Sequence, residues 1–166
     1  GPGRPIGMLN PSYSLYPVLA AAQHAEVVKV EVTDALGVDV DAVAKCGAAV
    51  FFLTNPNAPL GVAFATDVVR QVAKSFPGLL VVDEAYAAFA DADCVALVKE
   101  FPNVVVTRTM SKAHALAGLR AGYALCPAAV AEVLHRVRDS YNLDRLAQVA
   151  AAAALDDREW LSLIHI

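Results

Sequence analysis

Residues 48–83 read AAVFFLTNPNAPLGVAFATDVVRQVAKSFPGLLVVD, and the fold class follows from how this stretch divides. Ala48 to Leu53 is wholly apolar and reads as a buried strand. Thr54 to Gly61 (TNPNAPLG) holds two prolines, which remove backbone donors and fix φ, so regular structure stops there. Thr66 reads as an N-cap with Asp67 in the first turn of a helix reaching about Ser75. Leu79 to Val82 is the next buried strand, and it ends in Asp83-Glu84. Short, nearly all-apolar strands alternating with helices predict a mainly parallel sheet covered on both faces.

The same alternation extends outward in both directions. Val27 to Val32 (VVKVEV) is extended, and Val38 to Lys45 is a short amphipathic turn or helix. Beyond Asp83, a helix is expected around Cys94 to Phe101, then strands at Val104 to Thr107 and Gly122 to Cys126. Ala128 to Arg138 reads as a helix with its charges on one side. The alanine-rich run from Leu143 to about Trp160 is helical again. The expectation is an α/β protein with three αβα layers. Ligands of such sheets bind beyond the carboxyl ends of the strands. That rule directs attention to Thr54–Gly61, Asp83–Tyr86 and Arg108–Lys112.

Composition sets the outer bounds. A length of 166 residues fits one globular domain, since domains run to ~100–200 residues. The chain is 57% hydrophobic, with 33 alanines and a mean hydropathy of +0.49, which excludes intrinsic disorder. No apolar stretch approaches the ~18–20 residues needed to cross a bilayer. The opening Gly-Pro-Gly-Arg-Pro has no apolar segment behind a basic one, so no signal peptide is expected. A net charge of −4 with scattered Lys and Arg argues against a nucleic-acid surface. Cys46, Cys94 and Cys126 are far apart and odd in number. They fit neither a disulfide framework nor a metal site, which points to a reducing cytoplasm and no metal.

Taken singly, the three strand ends have ordinary structural explanations: an Asn/Pro surface loop, an Asp capping a helix, a solvated Lys. Together they are more specific. A carboxylate at the end of a buried strand with a tyrosine three residues on (Asp83, Tyr86) can serve one aromatic heterocycle, the first holding a ring nitrogen protonated and the second bonding a ring hydroxyl. Lys112, at a neighbouring strand end, can form a Schiff base with an aldehyde. Thr109, Ser111 and Arg120 suit a phosphate dianion. A ring with such a nitrogen, an aldehyde and a phosphate is pyridoxal 5'-phosphate.

The segments FLTNPNAPLG, VVDEAYAAF and VTRTMSKAHALAGLRAGYA, with the earlier PSYSLYP, resemble those of fold-type I pyridoxal-phosphate aminotransferases. The SKA-x-x-LAGLR-x-GY pattern is most similar to the histidinol-phosphate group among them. The resemblance runs from about Asn10 to Ala154. It implies that Lys112 is the Schiff-base lysine and proton shuttle, that Asp83 pairs with the pyridinium nitrogen, and that Tyr86 donates to the ring hydroxyl. It further implies that Tyr13 stacks on the ring, and that Ser111, Arg120 and Thr109 hold the phosphate. The family has Asn directly before Pro-Thr-Gly where this chain has Ala58, with Leu60 in place of the Thr. Asn57 is therefore expected to make the contact to the ring hydroxyl.

By the same resemblance the reaction is transfer of an amino group between histidinol phosphate and 2-oxoglutarate, with a homodimer expected for the full-length enzyme; the cysteines, charge and hydropathy add a cytoplasmic setting with no nucleic-acid or membrane partner. The alternatives are another class I/II amino-acid aminotransferase, a threonine-phosphate decarboxylase-like enzyme, or a non-catalytic interaction module retaining only the sheet. Family members are longer, with an N-terminal arm and a C-terminal small domain. Residues 1–160 are thus expected to be the central part of the large cofactor-binding domain, and 161–166 a tail of unclear origin. Chains lacking those covering segments should expose apolar surface. His114 is read as packing, and Glu84, pointing away from Asp83 by the strand period, as structural.

Overall fold

The computed structural model describes residues 3–163. At its centre β3 (Val50–Thr54) and β4 (Leu79–Asp83) run parallel, Val50 opposite Leu79 and Thr54 opposite Asp83. Around them a six-stranded sheet is completed by β1 (Ile6–Asn10), β2 (Val27–Glu31), β5 (Val104–Thr109) and β6 (Gly122–Leu125), in the order β2-β1-β3-β4-β5-β6. All pairings are parallel except β5 with β6. The α/β, mainly parallel reading stands.

Strand side chains alternate faces, and the two sets meet different helices. Leu9, Phe51, Leu53, Leu80, Val82, Val104 and Val106 form one buried cluster with Val43 of α2 (Val40–Lys45), Val69 and Val72 of α3 (Thr66–Ser75) and Leu97 of α4 (Leu97–Glu100). Each such side chain contributes about 1.5–3 kcal/mol by leaving water. On the opposite face α1 (Leu15–Ala22) sets the Tyr16 ring against Phe52, 4.7 Å between centroids and nearly parallel. Helices α5 (Ala128–Val137), α6 (Arg145–Asp156) and α7 (Arg158–Leu163) follow the last strand. Trp160 of α7 pins its indole N–H to the Ala113 carbonyl at 2.8 Å.

Several local expectations change. Thr66 is the first helical residue rather than the cap; Ala65 takes the N-cap position, and the Thr66 hydroxyl donates to the Asp93 carbonyl instead. The helix expected from Cys94 contracts to α4, and the one from Leu143 breaks at Asp157 into α6 and α7. Residues 161–163, expected as tail, lie within α7, while 164–166 fall outside the described residues. Two elements had no signal. Strand β1 contains Gly7, where a Cβ would lie 2.4 Å from a Phe51 ring carbon. Close packing of the central strand thus demands the residue that most weakens a strand pattern. Helix α1 carries Pro17 in its first turn, where a missing N–H does no harm.

Among the described residues one surface stays uncovered. Helix α5 buries no residue, and Val133, Leu134 and Val137 are exposed, as are Tyr141, Leu146 and Val149. The isolated 166-residue chain is expected to bind a hydrophobic dye such as ANS and to self-associate at micromolar concentration. Sedimentation velocity checks this, and a monodisperse, dye-free monomer would refute it.

Candidate active site

The parallel strands deliver their carboxyl ends to one edge, and the chemistry collects there. Thr54 ends β3, Asp83 ends β4 and Thr109 ends β5. Beyond them opens a cavity of about 370 Å³ lined by Tyr13, Thr54, Ala58, Asp83, Tyr86, Arg108, Thr109, Ser111, Lys112 and Arg120, among others. That volume falls within the ~300–1,000 Å³ range of small-molecule sites. Of the expected site residues, Tyr13, Asp83, Tyr86, Thr109, Ser111, Lys112 and Arg120 meet in this one space.

Asn57 does not join them. It is 1% exposed, its amide donates to the Pro11 carbonyl at 3.3 Å, and its side-chain oxygen accepts from the Leu60 N–H. It lines a neighbouring cavity with Pro56, Pro59 and Phe89. The side chain at the next position, Ala58, borders both spaces. Asn57 therefore ties the proline loop to the start of the PSYSLYP segment, and its polar atoms are engaged in that.

Lys112 is exposed, and its Nζ stands 5.2 Å from the centroid of the Tyr86 ring. It sits in the connection between β5 and β6, residues 110–121, which the Met110 N–H closes by donating to the Ala121 carbonyl. Within it Ala115 and Arg120 adopt left-handed φ of 55° and 52°. That conformation costs a non-glycine residue on the order of 1 kcal/mol and persists only where surrounding contacts impose it. The Thr109 hydroxyl accepts from the Ser111 N–H at 3.1 Å, and the Arg120 guanidinium donates to the Ala117 carbonyl at 2.8 Å. Cations and hydroxyls thus share one hairpin.

Asp83 faces them from β4. Its Oδ1 accepts from the Ala85 N–H at 3.2 Å, and its Oδ2 from the Tyr16 phenol at 2.6 Å. Tyr16, unread in the sequence, is 3% exposed and also bonds Thr54 Oγ1 at 2.7 Å. Burial, then the Asp83 charge, push its phenol well above the ordinary tyrosine range. The available signal was the i, i+3 spacing from Tyr13, which places both rings on one side of a turn; they meet edge to face at 5.6 Å.

Glu84 turns the other way, as its strand position requires. It is 2% exposed, and its Oε2 accepts from Arg108 Nε and Nη2 at 2.9 and 2.7 Å. The Cys94 N–H donates to Oε1, and Arg108 reaches on to Asp93 at 2.8 Å. His114 lines a separate cavity beside Glu84 and Arg108, with its Nδ1 buried and unpartnered among the described residues. Burial, then the Glu84 charge, push the Cys94 thiol up to about 11. In the folded protein Cys94 is expected to resist iodoacetamide at pH 8. A raised thiol contributes stability in full below its unfolded pKa, and this is lost as pH climbs through about 11. The urea midpoint should fall over that window, and less so in Cys94→Ala.

The sequence model of the family described as aminotransferase class I and II matches residues 1–162. The chain belongs to that family. As a class I/II aminotransferase-family chain it is 47% identical over 162 residues to the histidinol-phosphate aminotransferase of Geobacter sulfurreducens, covering 98% of this chain and 46% of that protein. The Synechocystis protein of the same name is 42% identical over 155 residues, 93% of this chain and 44% of its own length. The chain spans about half the length of the curated relatives it matches. Among solved structures, histidinol-phosphate aminotransferase from Sinorhizobium meliloti, in complex with pyridoxal-5'-phosphate, superposes with a TM-score of 0.88 at 30% identity, over 98% of this chain and 46% of that one. The family's three-layer αβα architecture is the one described above. No helix among the described residues is long and apolar enough to cross a membrane.

Proposed function

We propose that this chain carries the pyridoxal-phosphate site of an aminotransferase that moves an amino group between histidinol phosphate and 2-oxoglutarate. The observation that carries the reading is the convergence of Lys112, Asp83 and Tyr86 on one cavity with Thr109, Ser111 and Arg120 on its wall. The donor set fits the cofactor: a carboxylate for a ring nitrogen, a phenol for a ring hydroxyl, an amine for an aldehyde, and hydroxyls with a guanidinium for a phosphate. Names and sequence identity of the relatives support the substrate.

Pyridoxal phosphate, when bound, supplies an aldehyde that condenses with amines and a ring that accepts the electron pair released at the substrate α-carbon. Lys112 Nζ would hold the aldehyde in the resting protein. Freed by the incoming amine, it would take the α-proton and return it on the cofactor side. Asp83 would keep the ring nitrogen protonated, and Tyr86 would donate to the ring hydroxyl. Tyr13, half-exposed at the cavity mouth, would cover the ring face. Ser111, Thr109 and Arg120 would fix the phosphate.

The finer parts of the reading are a homodimer, which the exposed apolar faces support, and a cytoplasmic setting, which the three free cysteines support. Incubation with pyridoxal phosphate followed by borohydride should place the reduced label on Lys112 by peptide mapping. Label elsewhere sinks the site. Half-reactions with a panel of amino donors then test the substrate: reaction with several of them but not with histidinol phosphate sinks that name and leaves the family.

A further inference from the structure

We infer that Tyr16 is a positioning residue that fixes and polarises Asp83 through a one-way chain of hydroxyls; the inference rests on the cofactor reading above. The direction of the chain is forced by hydrogen inventory. A carboxylate only accepts, so the Tyr16 proton points to Asp83 Oδ2, 2.6 Å away. The Tyr16 oxygen must then accept from Thr54 Oγ1 at 2.7 Å, and Thr54 in turn accepts from Ser12 Oγ at 3.1 Å. Three hydroxyls donate in sequence toward one carboxylate, and each bond polarises the next.

The arrangement is rigid where it matters. Tyr16 and Thr54 are buried, at 3% and 2% exposure, and the Tyr16 ring lies flat on Phe52. Asp83 is the member that reaches the cavity shared with Lys112, while Tyr16 does not line it. Tyr16 therefore acts through Asp83: it holds the carboxylate rotamer and supports its charge against the ring nitrogen.

Tyr16→Phe keeps the ring stack and removes only the donor. Hydrogen bonds to charged groups are worth enough that cofactor affinity should fall roughly tenfold. The test uses the full chain, with pyridoxal phosphate as the probe. Dissociation constants come from quenching of intrinsic fluorescence, alongside the absorbance maximum of the lysine-bound cofactor. The deciding comparison is a double-mutant cycle. In an Asp83→Ala background, Tyr16→Phe should weaken binding no further and leave the absorbance where Asp83→Ala put it. Thr54→Val, which cuts the chain one bond earlier, should give a smaller loss of several-fold. Unchanged affinity in Tyr16→Phe overturns the inference, as does an equal loss with and without Asp83, which marks a purely structural effect. Wild-type protein that takes no label on Lys112 overturns instead the reading on which the inference stands.

Discussion

Lys112→Ala is expected to leave no borohydride-fixed label and to lower amino-transfer turnover by about 10³-fold or more. The size follows from losing both the amine that holds the aldehyde and the base that moves the α-proton; positioned proton transfer alone is worth roughly 10²–10⁴. The fold should hardly register the change. Lys112 is exposed and its Nζ stands 5.2 Å from the centroid of the Tyr86 ring, a contact worth about 0.5–1 kcal/mol. Lys112→Arg separates charge from chemistry. It keeps the cation over Tyr86, but a guanidinium stays protonated and cannot attack. Both variants should be equally silent in the labelling assay while urea unfolding stays near wild type. Turnover retained in either one would remove Lys112 from the mechanism.

The second large effect lies on the opposite side of the same strand end. Glu84→Ala is expected to cost about 1.5–3 kcal/mol of stability, because it removes the buried carboxylate that both Arg108 and the Cys94 N–H bond. Arg108 would keep Asp93 at 2.8 Å and its contact with the Tyr123 side chain, while the Cys94 N–H would lose its acceptor in a buried position. The Glu84 side chain is 1% exposed and that of Arg108 27%, so solvent screens the pair weakly. Urea denaturation reads the loss directly. Glu84→Gln, which keeps the shape and one acceptor, should lose less. A change below about 1 kcal/mol in Glu84→Ala would mean that the pair contributes little to the fold.

Adjacent residues thus divide by parity: Asp83 faces the cavity and Glu84 the scaffold. That division was legible in the sequence because a strand alternates its side chains. So were β3, β4 and β5, whose uninterrupted apolar runs carry the signature of burial on both faces. Lys112, Asp83, Tyr86 and the phosphate-type residues stood out because their chemistry falls at strand ends. The illegible parts have physical causes. Gly7 and Pro17 suit tight packing and a helix start, and both erase the patterns by which β1 and α1 would be recognised. Tyr16 looks like any buried aromatic, and its partner lies 67 residues along the chain. Asn57 lies one position before Ala58, and in a tight loop a displacement of one residue sends the side chain into another cavity.

The β5–β6 hairpin carries one more consequence. Thr109 pairs opposite Gly122, and the segment between them, including Ser111, Lys112 and Arg120, is tied down again inside by the Leu116 N–H donating to the Met110 carbonyl and by the Trp160 indole N–H donating to the Ala113 carbonyl. The segment therefore has no slack. Adding or removing one residue between Ala113 and Leu119 would either break the Met110–Ala121 bond or turn Arg120 away from Lys112. Homologues that vary freely in the proline loop or the terminal helices should keep a fixed count here, so insertions and deletions, more than substitutions, mark where this site cannot drift.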